Sequence, residues 1–541
     1  MKRIPALDSL RGLLLLLMTF NHLIWISGGS TWLQRFTLQP FGQFGAAEGF
    51  VFISGLLAGA LYSRSTLSET ETRQKAHRRA LTIYGYHLVC LGVIVVWLAL
   101  AYVFSPMAYG VLSANTSGLV SDPLPALLLS VLLINKPFYL DILPLYVMFM
   151  LLLPMLVAAY RRGWMGYVVA ASVGLWLMSG WISDAMLTPL YGWVAPNVPV
   201  QTGFFDPTAW QLLFVLSSAL GFACQNRTFR WQHPALTVLC VFIAGFIMAA
   251  QNGLFWDWGL KPMTIYQLGD KPELAWIRLL SLGVWVYLIA CVIHRFPQAL
   301  VWRPLSYIGR HSLQVFSFQS VLIYLAAPWL FMVRTESAYL WLVVLCCASL
   351  WLPAWYRTHR SQSVSAAEAS TASVPTRSAS TASVTRIGMR LAGVCAVLVA
   401  VSVLPTVVKT DTDALIVQDS QAHYPLTVKV NGVRDEDAPV VVAVYAETDS
   451  LNGEASVFTQ AYSRAEVSEG VVIGDLPVGY YAVYVYHDSD NNQTLSVDSR
   501  QMPVEGLGFS NNPTLMGPPT MEQVKFAHTQ AQQHSVMMAY Y

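Results

Sequence analysis

Two ionisable residues stand inside the first apolar stretch of the chain. They are Arg11 and His22, in LDSLRGLLLLLMTFNHLIWI, with ten residues between them. Ionisable groups are expensive to place in a membrane helix, so they mark function by default. At about 3.6 residues per turn, eleven positions make three turns, which puts both side chains on one side, roughly 16 Å apart along the axis. Asp8, three residues before Arg11, falls on the same stripe. One helix face thus carries an acid, a base and a potential proton carrier.

Further polar residues interrupt the apolar runs. Glu48 opens the next one, AAEGFVFISG, at about the depth of His22. A carboxylate beside an imidazole fixes its tautomer and stabilises the imidazolium, so Glu48 is expected to orient His22. Gly49, Ser54, Gly55 and Gly59 follow in that segment, and small residues let helices approach closely. Arg78 and Arg79, in AHRRAL, serve as topology markers at a helix end and are also suited to holding phosphate. The stretch IGRHSLQVFSFQ sets Arg310, His311, Ser312 and Gln319 at and within a later helix. Asp141 (YLDILPLY) and Gln211 (TAWQLLF) are polar groups in apolar surroundings.

These residues must be positioned by a membrane bundle. The chain has 541 residues, of which 55% are hydrophobic and 11% charged, with a mean hydropathy of +0.48. Such values exclude a large soluble enzyme. A net charge of +2 gives no ground for binding nucleic acid. The seven cysteines all lie in apolar stretches and read as buried free thiols. Lys2 and Arg3 precede an apolar run as in a signal peptide, but Asp8 and Arg11 interrupt its start and no A-x-A-like site follows. A retained helix is the expectation.

Runs long enough to span a bilayer need about 20 residues. They fall near 9–28, 44–63, 80–104, 138–160, 164–183, 208–226, 234–251, 275–295, 305–328, 338–356 and 388–408. The run 123–134 is too short and too proline-flanked to span, and reads as re-entrant or interfacial. With the N-terminus inside, the inner loops carry Arg64, Arg73, Lys75, Arg78, Arg79, Arg161, Arg162, Arg227, Arg230, Arg295, Arg303, Arg357 and Arg360. The outer loops hold Arg35, Lys136, Lys261, Lys271 and Arg334.

The expected fold is an all-α polytopic bundle with a C-terminal all-β sandwich. A ten-helix core occupies 1–356, and a Ser/Thr/Ala-rich cytoplasmic linker, with a repeated STASV, occupies 357–387. An eleventh helix (388–408) returns the chain to the outside. Residues 423–530, with alternating runs such as LTVKVNGV and YYAVYVYH, form the β-domain on the periplasmic side. Asp488, Asp490 and Asn492 form D-x-D-x-N, like the start of a calcium loop. Gln493 stands where that loop needs Gly and Ser499 where it needs Glu, so a polar turn held by Asx side chains is expected, with no metal required.

The opening RIPALDSLRGLLLLLMTFNHL resembles that of the family-3 membrane acyltransferases, whose first helix carries an Arg, ten residues and a His. SYIGRHSLQVFSFQ resembles their late LGR-x-SY signature, with Gln319 where a His usually stands. AEGFVFISG (47–55), LDILPLYVMFMLLLP (140–154), FFDPTAWQLLFVLSSALG (204–221) and GRHSLQVF (309–316) resemble the OpgC branch, over residues 1–356. Asn21 stands before His22 where OpgC-like chains often have Asp, which shifts weight onto Glu48. The segments 475–498 and 503–512 resemble a small secreted bacterial domain of unknown function.

The resemblance implies an inner-membrane O-acyltransferase, taking an acyl group (succinyl in the OpgC branch) from cytoplasmic acyl-CoA to hydroxyls of a periplasmic glucan. His22, Glu48, Arg11 and Asp8 would form the catalytic set. His22 would act as general base or carry the acyl group covalently. Arg78, Arg79 and Arg310 would hold the donor; Asp141, Gln211 and Gln319 would face the acceptor. Implied partners are membrane lipid, the glycan acceptor and an envelope protein for the β-domain. Acylation of another envelope polysaccharide or lipid-linked sugar uses the same layout. A transporter or a sensor is the rival class, but matching halves and an output module are missing from the sequence.

Overall fold

The fold is taken from a computed structural model of the chain. It describes residues 4–359 and 422–540, apart from 30, 38–41, 114, 117–118, 120–122, 183–202, 227–231, 253, 256–267 and 335 in the first block, and 435–437, 448, 450, 452–454, 456, 497–502, 504, 513–520 in the second. The expected eleventh helix and most of the linker lie outside the described residues.

Apolar composition makes helices of nearly all of the first block, because a backbone in lipid must satisfy its hydrogen bonds internally. The principal ones are α1 (Pro5–Ile26), α2 (Ala46–Tyr62), α3 (Glu69–Phe104), α4 (Pro123–Val131), α5 (Ile142–Arg161), α6 (Met165–Leu177), α7 (Pro207–Asn226), α8 (Pro234–Gln251), α9 (Trp276–Arg295), α10 (Arg303–Arg310), α11 (Ser312–Met332) and α12 (Ala338–His359). Eight of these are long and apolar enough to cross a membrane, and α2 and α6 are shorter apolar helices. The nine-residue α4 is too short to cross. Ser68 starts the 36-residue α3: its hydroxyl accepts from the Glu71 amide while the Glu71 carboxylate accepts from the Ser68 amide.

Glycine sets two of the closest crossings. A side chain on Gly59 would run into the Ser218 backbone of α7, and one on Gly221 into the Leu56 backbone of α2. Gly12 lies against Leu305 of α10, and Gly309 of α10 against the Asp8 carbonyl of α1. The helix expected over 305–328 is thus two elements, broken at His311. The break follows the glycine that brings α10 onto α1.

The helices give the bundle two chemically different ends. At one, Arg161 donates to the carbonyls of Tyr62 and Arg64, Arg162 stands 3.8 Å from Glu69, and Asn226 donates to Ser63. At the other, Ser27 shares a 2.7 Å hydrogen bond with Tyr339.

The second block holds β1 (His423–Asn431), β2 (Val440–Ala446), β3 (Phe458–Tyr462), the short helix α13 (Arg464–Glu469), β4 (Val471–Pro477), β5 (Gly479–His487), β6 (Leu507–Phe509), β7 (Phe526–His528) and β8 (Gln532–Met537). A three-stranded sheet runs β4-β1-β8, with β1 antiparallel to β4 and parallel to β8. A five-stranded sheet runs β3-β2-β5-β6, with β7 also on β5. Alternation in β1 buries Leu426, Val428 and Val430, which meet Val440, Val442, Val444, Val483 and Val485 of the larger sheet in one core. The other face of that sheet is covered too, around Ala443, Tyr486 and Phe509. The turn after β1 lies against the bundle: a side chain on Gly432 would meet the guanidinium of Arg334, between α11 and α12.

Candidate active site

His22 sits near the end of α1 that carries Ser27. Its ring packs on Tyr139, centroid to centroid 4.7 Å, and on Trp25 at 5.7 Å. Nδ1 is buried and has no hydrogen-bond partner among the described residues. One turn earlier Thr19 donates to Gln319 Oε1 of α11 at 2.7 Å, and Ser320 donates to the Tyr139 carbonyl at 3.3 Å. Gln319 is therefore a neighbour of the His22 pocket and holds α11 to α1.

Glu48 does not orient His22. Its Oε1 accepts from Arg278 of α9 at 2.6 Å, and its Oε2 accepts from the Gly45 amide at 3.1 Å, with both side chains buried. Arg278 also donates to the Gly269 carbonyl. The expectation fails because a guanidinium is the stronger partner for a buried carboxylate, and it satisfies both charges at once. The His22 ring is held by aromatic packing instead.

Around this end lie further charged groups. The Asp141 carboxylate accepts from the Phe204 amide at 3.0 Å and has Lys136 beside it. Gly203, at φ +93°, packs on both Lys136 and Asp141, a close approach and a backbone region that favour glycine. Lys271 is near enough for its charge to act on His22, Glu48 and Asp141.

Arg11 occupies the other part of α1. It donates to Ser312 Oγ at 2.5 Å and lies over the Phe50 ring at 5.6 Å. Its Nε is buried and unpartnered among the described residues. Asp8, Tyr146 and Arg79 are within electrostatic reach. Arg79, exposed on α3, is within electrostatic reach of Tyr62, Tyr86 and Arg357, and His311 of Arg310 and Arg357. Arg78 is exposed on α3. The arginines thus converge on the Arg11 end, and Arg357 joins the residues singled out from sequence.

Gln211 plays a different part. Its carbonyl accepts from Ser172 at 2.6 Å, and its amide donates to the carbonyls of Ser172 and Thr208. That use ties α6 to α7. A lateral groove of about 510 Å³, lined by Leu16, Phe20, Ile308, Val344, Cys347 and Trp351, opens beside α1 and includes neither Arg11 nor His22. In the β-domain, Asp488, Asp490 and Glu505 bring carboxylate oxygens within 4.8 Å of one another. Asp488 accepts from the amides of Asn492 and Gln493, and Glu505 from those of Ser489 and Ser496. Glu505 lies outside the D-x-D-x-N run and was not visible as its neighbour.

Tyr139, Lys271 and Arg278 were missed from the candidate set. Arg278 carries the same signal as Arg11, a charge within an apolar run.

A helical bundle with a half-buried imidazole near one end of a helix and arginines gathered at the other fits a multi-pass membrane enzyme. A family model described as "OpgC protein" matches residues 3–362. The chain belongs to the OpgC family, membrane acyltransferases that act on glucans. A second model, described as an uncharacterized protein conserved in bacteria, matches residues 428–536. Searches of curated proteins and of solved structures found no match.

Proposed function

We propose that this chain transfers an acyl group, succinyl in its native reaction, from cytoplasmic acyl-CoA to a hydroxyl of a periplasmic glucan across the inner membrane. The arginine-rich end would face the cytoplasm; the His22 end and the β-domain would face the periplasm. The observation that carries this reading is the layout of α1. Arg11 stands among arginines at one end, and His22, whose Nδ1 has no partner among the described residues, stands near the other.

The residues fit the steps. Arg79, Arg310 and Arg357 would meet the donor's phosphates, since guanidinium groups match phosphate geometry. Arg11, whose Nε has no partner among the described residues, would guide the thioester arm inward. His22 would take the proton of the acceptor hydroxyl as its oxygen attacks the thioester carbonyl. The new C–O bond forms, the C–S bond breaks, and the imidazolium returns its proton to the departing thiolate. The excess of Arg and Lys at the Arg11 end follows the positive-inside rule. The closeness of Gly432 to Arg334 supports a β-domain on the same side as the loop between α11 and α12, the acceptor side in this reading.

The test is transfer of labelled succinyl from succinyl-CoA to glucan in purified membranes. His22→Ala should lower the rate by at least about 100-fold, the usual scale for loss of a general base. Its elution profile in detergent should stay unchanged. Wild-type glucan acylation in that variant would overturn the mechanism.

A further inference from the structure

Near His22, Glu48 and Asp141 are held by direct hydrogen bonds, and both carboxylates also act on Lys271 at longer range. Glu48 is held by Arg278 and the Gly45 amide. Asp141 is held by the Phe204 amide and by Lys136 beside it. Lys271 makes no hydrogen bond and no salt bridge among the described residues. Its ammonium lies 5.6 Å from the Phe204 ring centroid and 5.8 Å from that of Phe205. A partly covered ammonium has three donors to satisfy, and aromatic faces satisfy none of them as an acceptor oxygen would. Glu48 and Asp141 act on it only through space, so its donors stay open to an anion that arrives from outside the protein.

We infer that Lys271 receives the free carboxylate of a dicarboxylic acyl group, and so selects acidic acyl chains over neutral ones. This rests on the acyl-transfer reading given above. The geometry favours a carboxylate over the oxyanion of the reaction itself. An oxyanion donor must reach the same carbonyl that His22 serves. Lys271 instead sits beside Gly45 and the start of α2, where its charge reaches His22 without a hydrogen bond to it. A carboxylate some bonds beyond the reacting carbonyl would meet the ammonium while the carbonyl remains at the imidazole. A neutral acyl chain would leave Lys271 unsatisfied, the arrangement that gives polar sites their strong discrimination.

The experiment compares initial rates with labelled succinyl-CoA and acetyl-CoA for the full-length protein, Lys271→Met and Lys271→Arg. Lys271→Met should lose about tenfold or more in kcat/KM for succinyl while acetyl transfer stays within about twofold, and Lys271→Arg should keep most of the succinyl rate. Retained acetyl transfer shows that the variant is folded. Equal loss of both acyl groups, or an unchanged succinyl rate, would overturn the assignment. A wild-type protein that moves neither group would overturn the acyl-transfer reading and this inference with it.

Discussion

The Glu48–Arg278 pair carries two opposite charges at 2.6 Å, with side chains 1% and 4% exposed. Removing one member strands the other in a medium that solvates it poorly. Glu48→Gln should therefore destabilise the protein by about 3–5 kcal/mol, and the double change Glu48→Gln/Arg278→Met should recover most of that loss. Thermal unfolding in detergent measures both. If Glu48 instead served His22 directly, the double variant would regain no activity; recovery of stability and rate together is the expected result. The residue scale also shows what a single sequence exposes. Arg11, His22 and Glu48 stand out because a charge in an apolar run is visible in one dimension. The partner of Glu48 is not visible, because it lies 230 residues away. Nothing in AAEGFVFISG distinguishes a carboxylate that meets an imidazole from one that meets a guanidinium.

At the scale of elements, hydropathy marks the spans well, since each must hide its backbone from lipid over about 20 residues. All ten expected core spans correspond to described helices, two of them shorter than a full crossing. The breaks are less legible. His311 interrupts one expected helix and a turn at Ser349–Leu350 another, and the first break follows the packing of Gly309 on the α1 backbone. The glycines are the physical reason for the tightest crossings. Gly309→Val would force α10 off the Asp8 carbonyl, and overpacking of this kind should lower stability by about 1–3 kcal/mol or more. Because α1 carries both Arg11 and His22, the same change should reduce transfer. Gly85→Val is the control, since space near Gly85 is open. A lower unfolding temperature for the first and no shift for the second are the expected readings in detergent.

For the whole molecule, the β-domain adds a pH response of its own. Burial, with His528 nearby, pushes the His534 imidazole down to about 4. Its ring packs on Phe526 at 3.7 Å, where the neutral form is favoured. The unfolded chain binds the proton near pH 6.5 and the folded one only near 4, so stability is lost as pH falls from about 6.5 toward 4. The full loss is about 3 kcal/mol, from about 1.4 kcal/mol per pKa unit. Protection factors of the β8 amides in the full-length protein, with exchange corrected for its intrinsic rate at each pH, should fall between pH 7 and 5, and His534→Gln should flatten that dependence.

The length of α3 has a consequence for how substrate is met. At about 1.5 Å per residue its 36 residues extend some 54 Å, whereas the hydrocarbon layer is about 30 Å thick. Its first turns therefore reach beyond the oil, packing Thr72, Ala76 and Ala80 on the protein and turning Arg73, Lys75, Arg78 and Arg79 outward. On the proposed acyl-CoA reading, the donor's nucleotide would be captured there without partitioning into lipid, and only its narrow tail would have to enter the bilayer.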